Sequence, residues 1–166
     1  MGDVAGWRWK RSRSSARLYA MTDSLTPGSS TFPWVRPAQG YAGDLPAALA
    51  WQWVQQGQAV LVDVRTDAER EWVGRVPGAV AVAWKQWPGM AANADFDAQL
   101  RAAVPEGMKV VLLCRSGVRS VAAAQRATTL GLQAYNILEG FEGDADANGQ
   151  RGHVGGWRHG GLPWRQ

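Results

Sequence analysis

The sequence predicts an α/β fold, with a central, mostly parallel sheet flanked by helices on both faces. Three observations carry this expectation. The runs Ala59-Val60-Leu61-Val62 and Val110-Val111-Leu112-Leu113 are wholly apolar, as strands buried on both faces must be. Segments rich in helix formers alternate with such runs along the chain, which is the order of βαβ units rather than of an all-β or all-α protein. Helix start and stop residues punctuate the alternation, with Thr66-Asp67-Ala68-Glu69 in the pattern of a capping box.

The elements follow in order from about residue 38. Asp44-Leu45-Pro46 reads as an N-cap with proline in the first turn, Ala47 to Gln56 as the helix, and Gly57 as its stop. Ala59 to Val64 is a strand, and the capping box opens a short helix over residues 67–73. Gly74-Arg75-Val76-Pro77-Gly78 is a turn, Ala79 to Val82 a third strand, and Asp95 to Val104 a helix. A strand then ends at Cys114. A further helix reaches about Leu130 and stops at Gly131, and Tyr135-Asn136-Ile137-Leu138 is the last strand.

The 166 residues are enough for one domain with a real core, placed at residues 38–166, with residues 1–37 as a basic extension and irregular lead-in. The net charge of +4 lies entirely in residues 1–20, where Arg8, Lys10, Arg11, Arg13 and Arg17 face only Asp3. The rest of the chain has no overall bias towards nucleic acid, so none is expected as a partner. Residues 1–20 fit a disordered basic arm, a transit-type address, or sequence upstream of a start at Met21. No apolar run nears the ~18 residues needed to span a bilayer, so no membrane is expected either. The single cysteine excludes an internal disulfide and multi-cysteine metal sites, and points to a reducing, cytoplasmic setting. His153 and His159 lie six apart in a glycine-rich stretch without carboxylate or thiol neighbours, so neither metal nor cofactor is expected.

That cysteine marks the candidate site. Cys114 ends a buried strand, Arg115-Ser116-Gly117-Val118-Arg119-Ser120 follows, and a helix begins at once. A thiol facing loop amides and a helix N-terminus, with two arginines nearby, sits in a field that favours thiolate. A short glycine-centred loop also converges backbone N–H groups into an anion-binding nest. A lone cysteine is more often simple packing, but a packing cysteine does not need Arg-Ser-Gly directly after it.

Several blocks in order resemble a single-domain rhodanese: Leu61-Val62-Asp63-Val64-Arg65, Glu71-Trp72, Gly74-Arg75-Val76-Pro77-Gly78-Ala79 and Leu113-Cys114-Arg115-Ser116-Gly117-Val118-Arg119-Ser120. Leu138-Glu139-Gly140-Phe141, Gly155-Gly156-Trp157 and Gly161-Leu162-Pro163-Trp164 resemble the closing segments of bacterial members. One departure is Arg75-Val76, where members commonly carry His-Ile. The resemblance implies a rhodanese-like fold and a sulfurtransferase. Cys114 would take sulfane sulfur from a small anionic donor such as thiosulfate and pass it to a thiol or a sulfur-acceptor protein. Residues 115–120 would hold the donor. The resemblance places Asp63 and Arg65 near the loop in a supporting, hydrogen-bonding role. Glu71 is expected to pair with Arg65 or a loop arginine, or to be a solvated carboxylate. Trp72, Trp84 and Trp87 either line the pocket mouth or pack.

Two other functions share this architecture. A cysteine phosphatase needs its arginine six positions after the cysteine, whereas here that position is Ser120 and the arginine is Arg119. A non-catalytic rhodanese-like binding module would typically lack the cysteine.

Overall fold

The computed structural model describes residues 34–166. The expectations for residues 1–20, and for the lead-in before residue 34, lie outside the described residues. The wholly apolar runs do form the centre of one parallel sheet. Its strands are β1 (Gly43–Leu45), β2 (Ala59–Asp63), β3 (Val80–Ala81), β6 (Lys109–Leu113) and β7 (Ala134–Ile137), in the order β1-β7-β6-β2-β3. Every pairing in this sheet is parallel, with Leu61 opposite Val111 and Leu112 opposite Asn136. The remaining strands, β4 (Lys85–Gln86) and β5 (Ala91–Ala92), form a small antiparallel hairpin of their own.

Period-two alternation divides the strand side chains between two cores. Val62, Val64, Val110 and Leu112 face helices α3 (Phe96–Ala103) and α4 (Val118–Thr129), where they meet Phe96, Leu100, Ala123, Ala124 and Ala127. Leu61, Val111, Leu113 and Ile137 face α1 (Ala47–Gln55) and α5 (Gly156–His159), where they meet Ala50 and the fully buried Trp157. Helices therefore cover both faces, as the sequence predicts. The last helix, α2 (Asp67–Trp72), carries the expected capping box, with Thr66 and Glu69 each bonding the other's backbone N–H.

Four local expectations change. Asp44 is not a helix cap. It lies in β1, Pro46 caps α1, and the carboxylate of Asp44 accepts from Tyr41, Arg36 and Asn136 instead. The third strand shrinks to two exposed residues, because β3 is the sheet edge and pairs only with β2. Neither the β4–β5 hairpin nor α5 was anticipated, since segments of two to four residues show no periodicity to read. Finally, Arg36 pairs through its backbone with Asp44, so the ordered fold takes in residues before the expected boundary at 38.

Candidate active site

All strands of the main sheet run the same way, so their carboxyl ends share one edge, where ligands of open α/β sheets bind. Cys114 is the first residue beyond β6 on that edge and is only 1 % exposed. The loop after it turns into α4 through Gly117, the N-cap, at φ 86. Only glycine serves there. The left-handed backbone disfavours a side chain, and a Cβ would stand 1.9 Å from the Leu138 carbonyl oxygen. Gly140 matches it from the other side, since its Cβ would lie 2.4 Å from the Cys114 carbonyl oxygen. The segment after β7 thus presses backbone to backbone on the cysteine loop. Phe141 N–H donates to the Cys114 carbonyl at 2.8 Å, and Glu142 N–H donates to that of Arg115 at 2.9 Å. The loop's own N–H groups are differently placed. Among the described residues, nothing accepts from the backbone N–H of Arg115, Ser116, Gly117 or Val118. Free amides beside a helix N-terminus are what an anion cradle requires.

Below the thiol lies a buried polar chain. The Ser120 hydroxyl is 3.1 Å from Cys114 Sγ and 2.6 Å from Asn136 Oδ1. Asn136 Nδ2 donates at 2.8 Å to Asp44 Oδ1, which also accepts from Tyr41 at 2.7 Å. Arg36 closes the chain on the other Asp44 oxygen at 2.8 Å. Burial pushes Asp44 up, but the hydrogen bonds from Asn136, Tyr41 and Arg36 outweigh it and hold the carboxyl below its ordinary value. Burial, and after it the hydrogen bond to Asp44, raises Tyr41 to about 12.

Of the two loop arginines, only one is available to a ligand. Arg119 reaches Glu69 with both terminal nitrogens, at 2.8 and 2.5 Å, a bidentate pair. The Glu69 hydrogen bond holds Arg119 above its ordinary value. Burial acts to raise Glu69, yet the hydrogen bonds from Arg119 and Thr66 bring it down to about 2. Arg115 is exposed and has no carboxylate partner among the described residues.

Asp63 and Arg65 pair with each other two residues apart, at 2.6 Å, both buried. Arg65 also donates to the Gly74 carbonyl at 2.9 Å and stacks 3.9 Å over the Phe141 ring. Through Phe141 the pair braces the segment that straps the cysteine loop, a supporting place without contact to the cleft.

The site expectations thus divide. Cys114, Arg115, Ser116, Val118 and Arg119 line one cleft of about 700 Å³, together with Thr66, Glu69, Trp72, Trp87, Met90, Glu142 and Arg151. Gly117 and Ser120 are buried beneath it, and the Ser120 side chain faces the sulfur and Asn136 rather than the cleft. Glu71 stands elsewhere. It is 75 % exposed, and its one ion pair among the described residues is with Arg75, at 3.6 Å. Of the two expectations for it, the solvated carboxylate is the one met; the pairing with a loop arginine falls to Glu69 instead, because residues two apart on a helix point to nearly opposite sides. Trp72 and Trp87 are at the mouth, whereas Trp84 packs edge-on against Phe96. The sequence offers Asp44 only as a helix cap and Asn136 only as a strand residue, because the folded sheet alone links them through Ser120 to the sulfur. The one sequence signal for Glu69 was its place in the capping box.

The chain is similar to known proteins in sequence and fold. The family model of the rhodanese-like domain matches residues 46–147. An uncharacterised protein of Rickettsia conorii is 33 % identical over 117 residues, covering 68 % of this chain and 87 % of that one. The tRNA uridine(34) hydroxylase of Ralstonia nicotianae is 32 % identical over 119 residues, 66 % of this chain but 39 % of that protein. The crystal structure of Rv0390 from M. tuberculosis superposes with a TM-score of 0.70 at 46 % identity, over 76 % of this chain and 98 % of that one. The matched span runs from α1 through β7 and contains Cys114 with the whole of its loop, so this chain belongs to the family of rhodanese-like domains.

Proposed function

We propose that the protein is a sulfurtransferase that carries sulfane sulfur as a persulfide on Cys114. The observation that supports this most is the union of nucleophile and cradle. A cysteine sulfur lining an open cleft is followed directly by four backbone amides, those of residues 115–118, that no group among the described residues engages. In the reaction, Cys114 thiolate attacks the outer sulfur of a small anionic donor such as thiosulfate. A new sulfur–sulfur bond forms at Sγ, the donor's sulfur–sulfur bond breaks, and sulfite leaves with the electron pair. A thiol or a sulfur-acceptor protein then removes the bound sulfur, completing a two-step covalent cycle. The loop amides hold the anionic persulfide, and Arg115 draws the donor in. The cycle needs no metal or cofactor, and it needs a reduced thiol, which suits the cytoplasm.

Phosphate chemistry on this loop is the weaker reading. Its clamp would have to be Arg119, which stands five positions after Cys114 and is already bound bidentately by Glu69. No helix among the described residues is long and apolar enough to cross a membrane.

Intact-protein mass spectrometry after incubation with thiosulfate tests the proposal. Wild type gains one sulfur atom, cyanide removes it, and Cys114→Ser gains none. Failure to gain sulfur from any sulfane donor, together with hydrolysis of an aryl phosphate, would overturn it.

A further inference from the structure

We infer that Asp44, acting through Asn136, points the Ser120 hydroxyl proton away from Cys114, so that the floor of the site favours a neutral inner sulfur and shifts negative charge to the outer sulfur of the persulfide. The inference rests on the sulfurtransferase reading and deepens it, with these three as positioning residues for the sulfur.

The direction of the buried chain follows from its far end. The Asp44 carboxylate is ion-paired to Arg36 and held below its ordinary value, so it can only accept. An acceptor at 2.8 Å obliges Asn136 to present its amide N–H, which turns the Asn136 carbonyl oxygen towards Ser120. That oxygen also only accepts, and Ser120 Oγ lies 2.6 Å from it. The hydroxyl has a single proton and gives it to Asn136. What Ser120 presents to Sγ, 3.1 Å away, is therefore a lone pair. Tyr41 and Arg36 do not reverse this order, since both donate to the same carboxylate.

A lone pair suits a protonated sulfur, whose S–H can donate to it, and the divalent inner sulfur of a persulfide, which carries no charge. It opposes a thiolate. To satisfy a charged Sγ the hydroxyl must turn its proton round, and the oxygen of Asn136, a residue 2 % exposed, then loses its donor. A thiolate resisted in this way is more basic and a stronger nucleophile. Loading removes the conflict. The thiolate electron pair forms the bond from Sγ to the outer sulfur, the donor's sulfur–sulfur bond breaks, and sulfite leaves with its pair. The charge then sits on the outer sulfur, which the loop amides hold in the proposed reaction.

The other charges around the sulfur are independent of this device. Glu69, Arg115, Arg119, Glu142 and Arg151 line the cleft with Cys114, and the Asp63–Arg65 pair lies at the end of the neighbouring strand β2. Glu69 and Arg119 bind each other, and Tyr41 is raised to about 12. Replacing Asn136 by an apolar residue changes none of these charges and leaves Asp44 with Arg36 and Tyr41. A shift in the sulfur's titration then reports the hydroxyl.

Two measurements on the unloaded protein test this, and Cys114 is the chain's only cysteine, so both report it alone. In the rate of alkylation against pH, Asn136→Leu lowers the midpoint by about one unit, because the freed hydroxyl donates to the thiolate. Ser120→Ala/Asn136→Leu loses that shift, which a merely structural loosening would keep. In the infrared, below the midpoint, the S–H stretching band of wild type lies at lower wavenumber than that of Ser120→Ala, since only wild type offers the thiol an oxygen. The infrared comparison stands even if Asn136→Leu fails to fold. Above both midpoints, at matched thiosulfate and sulfite, Asn136→Leu holds severalfold less bound sulfur than wild type. An S–H band at one wavenumber in both proteins overturns the inference. So does a midpoint that stays or rises in Asn136→Leu, or a lowered one that survives the double substitution. No loading of wild type, with alkylation and infrared as expected, overturns the sulfurtransferase reading and not the direction of the hydroxyl.

Discussion

Beneath Cys114 nearly every polar group has a partner, whereas on the side of the cleft an arginine, the loop amides and two indoles have none among the described residues. The floor consists of Ser120, Asn136 and Asp44 on one side and the Asp63–Arg65 pair on the other, all buried. The mouth consists of Arg115, Val118, Trp72 and Trp87, all exposed. The difference separates two requirements. The floor must hold the sulfur in one place, and satisfied buried networks rigidify. The mouth must receive a ligand, and groups already paired within the fold cannot.

Substitutions sharpen or break this contrast. The largest effect falls on the floor. Asp63→Ala leaves the Arg65 charge, 0 % exposed, without its carboxylate, and should cost about 3–5 kcal/mol in urea unfolding. Asn136→Leu should cost less, about 1–3 kcal/mol, because it leaves the Ser120 hydroxyl and one Asp44 oxygen short of a partner. The rim should respond to acid. Glu69, held at about 2 by Arg119 and Thr66, is depressed from a usual value near 4.5. A depressed carboxylate contributes stability that is present above its unfolded value and lost as pH falls towards its folded one. Wild type should therefore lose more stability than Glu69→Gln between about pH 4.5 and 2. Smallest of all, Arg115→Ala should change stability by no more than about 0.5 kcal/mol while slowing the loading of anionic donors. Glu71→Gln should alter neither stability nor loading, since that side chain faces water away from the loop. If Arg115→Ala destabilised as much as Asn136→Leu, the division between floor and mouth would not hold.

Legibility in the sequence follows a similar line. The two central strands could be read because burial on both faces forbids polar residues in them, and the capping box could be read because its four residues are adjacent. The cysteine loop is contiguous too, so the site's nucleophile and cradle were visible as a block. What escaped depends on pairing across the chain. Asp44 looks like a cap when only Pro46 is considered, but it lies 92 residues from the Asn136 amide that defines its role. Glu69 is 50 residues from Arg119, and nothing local distinguishes its second partner from the Glu71 alternative. The hairpin carrying Trp87 and Met90 has strands of only two residues, too short for any periodicity.

The edge pairing of β1 with β7 also sets a timetable for synthesis. Gly43 to Leu45 leave the ribosome early, yet their neighbours, Tyr135 to Ile137, are added some 92 residues later. At about 5–20 residues per second, that is a wait of roughly 5 to 18 seconds. Throughout it, the nascent chain presents apolar strands with unfilled edges, and Asp44 lacks the amide that later orders it. Unpaired edges of this kind are what chaperones shield during synthesis. Slower translation across residues 59–134 would lengthen that exposure without changing a single contact of the finished fold.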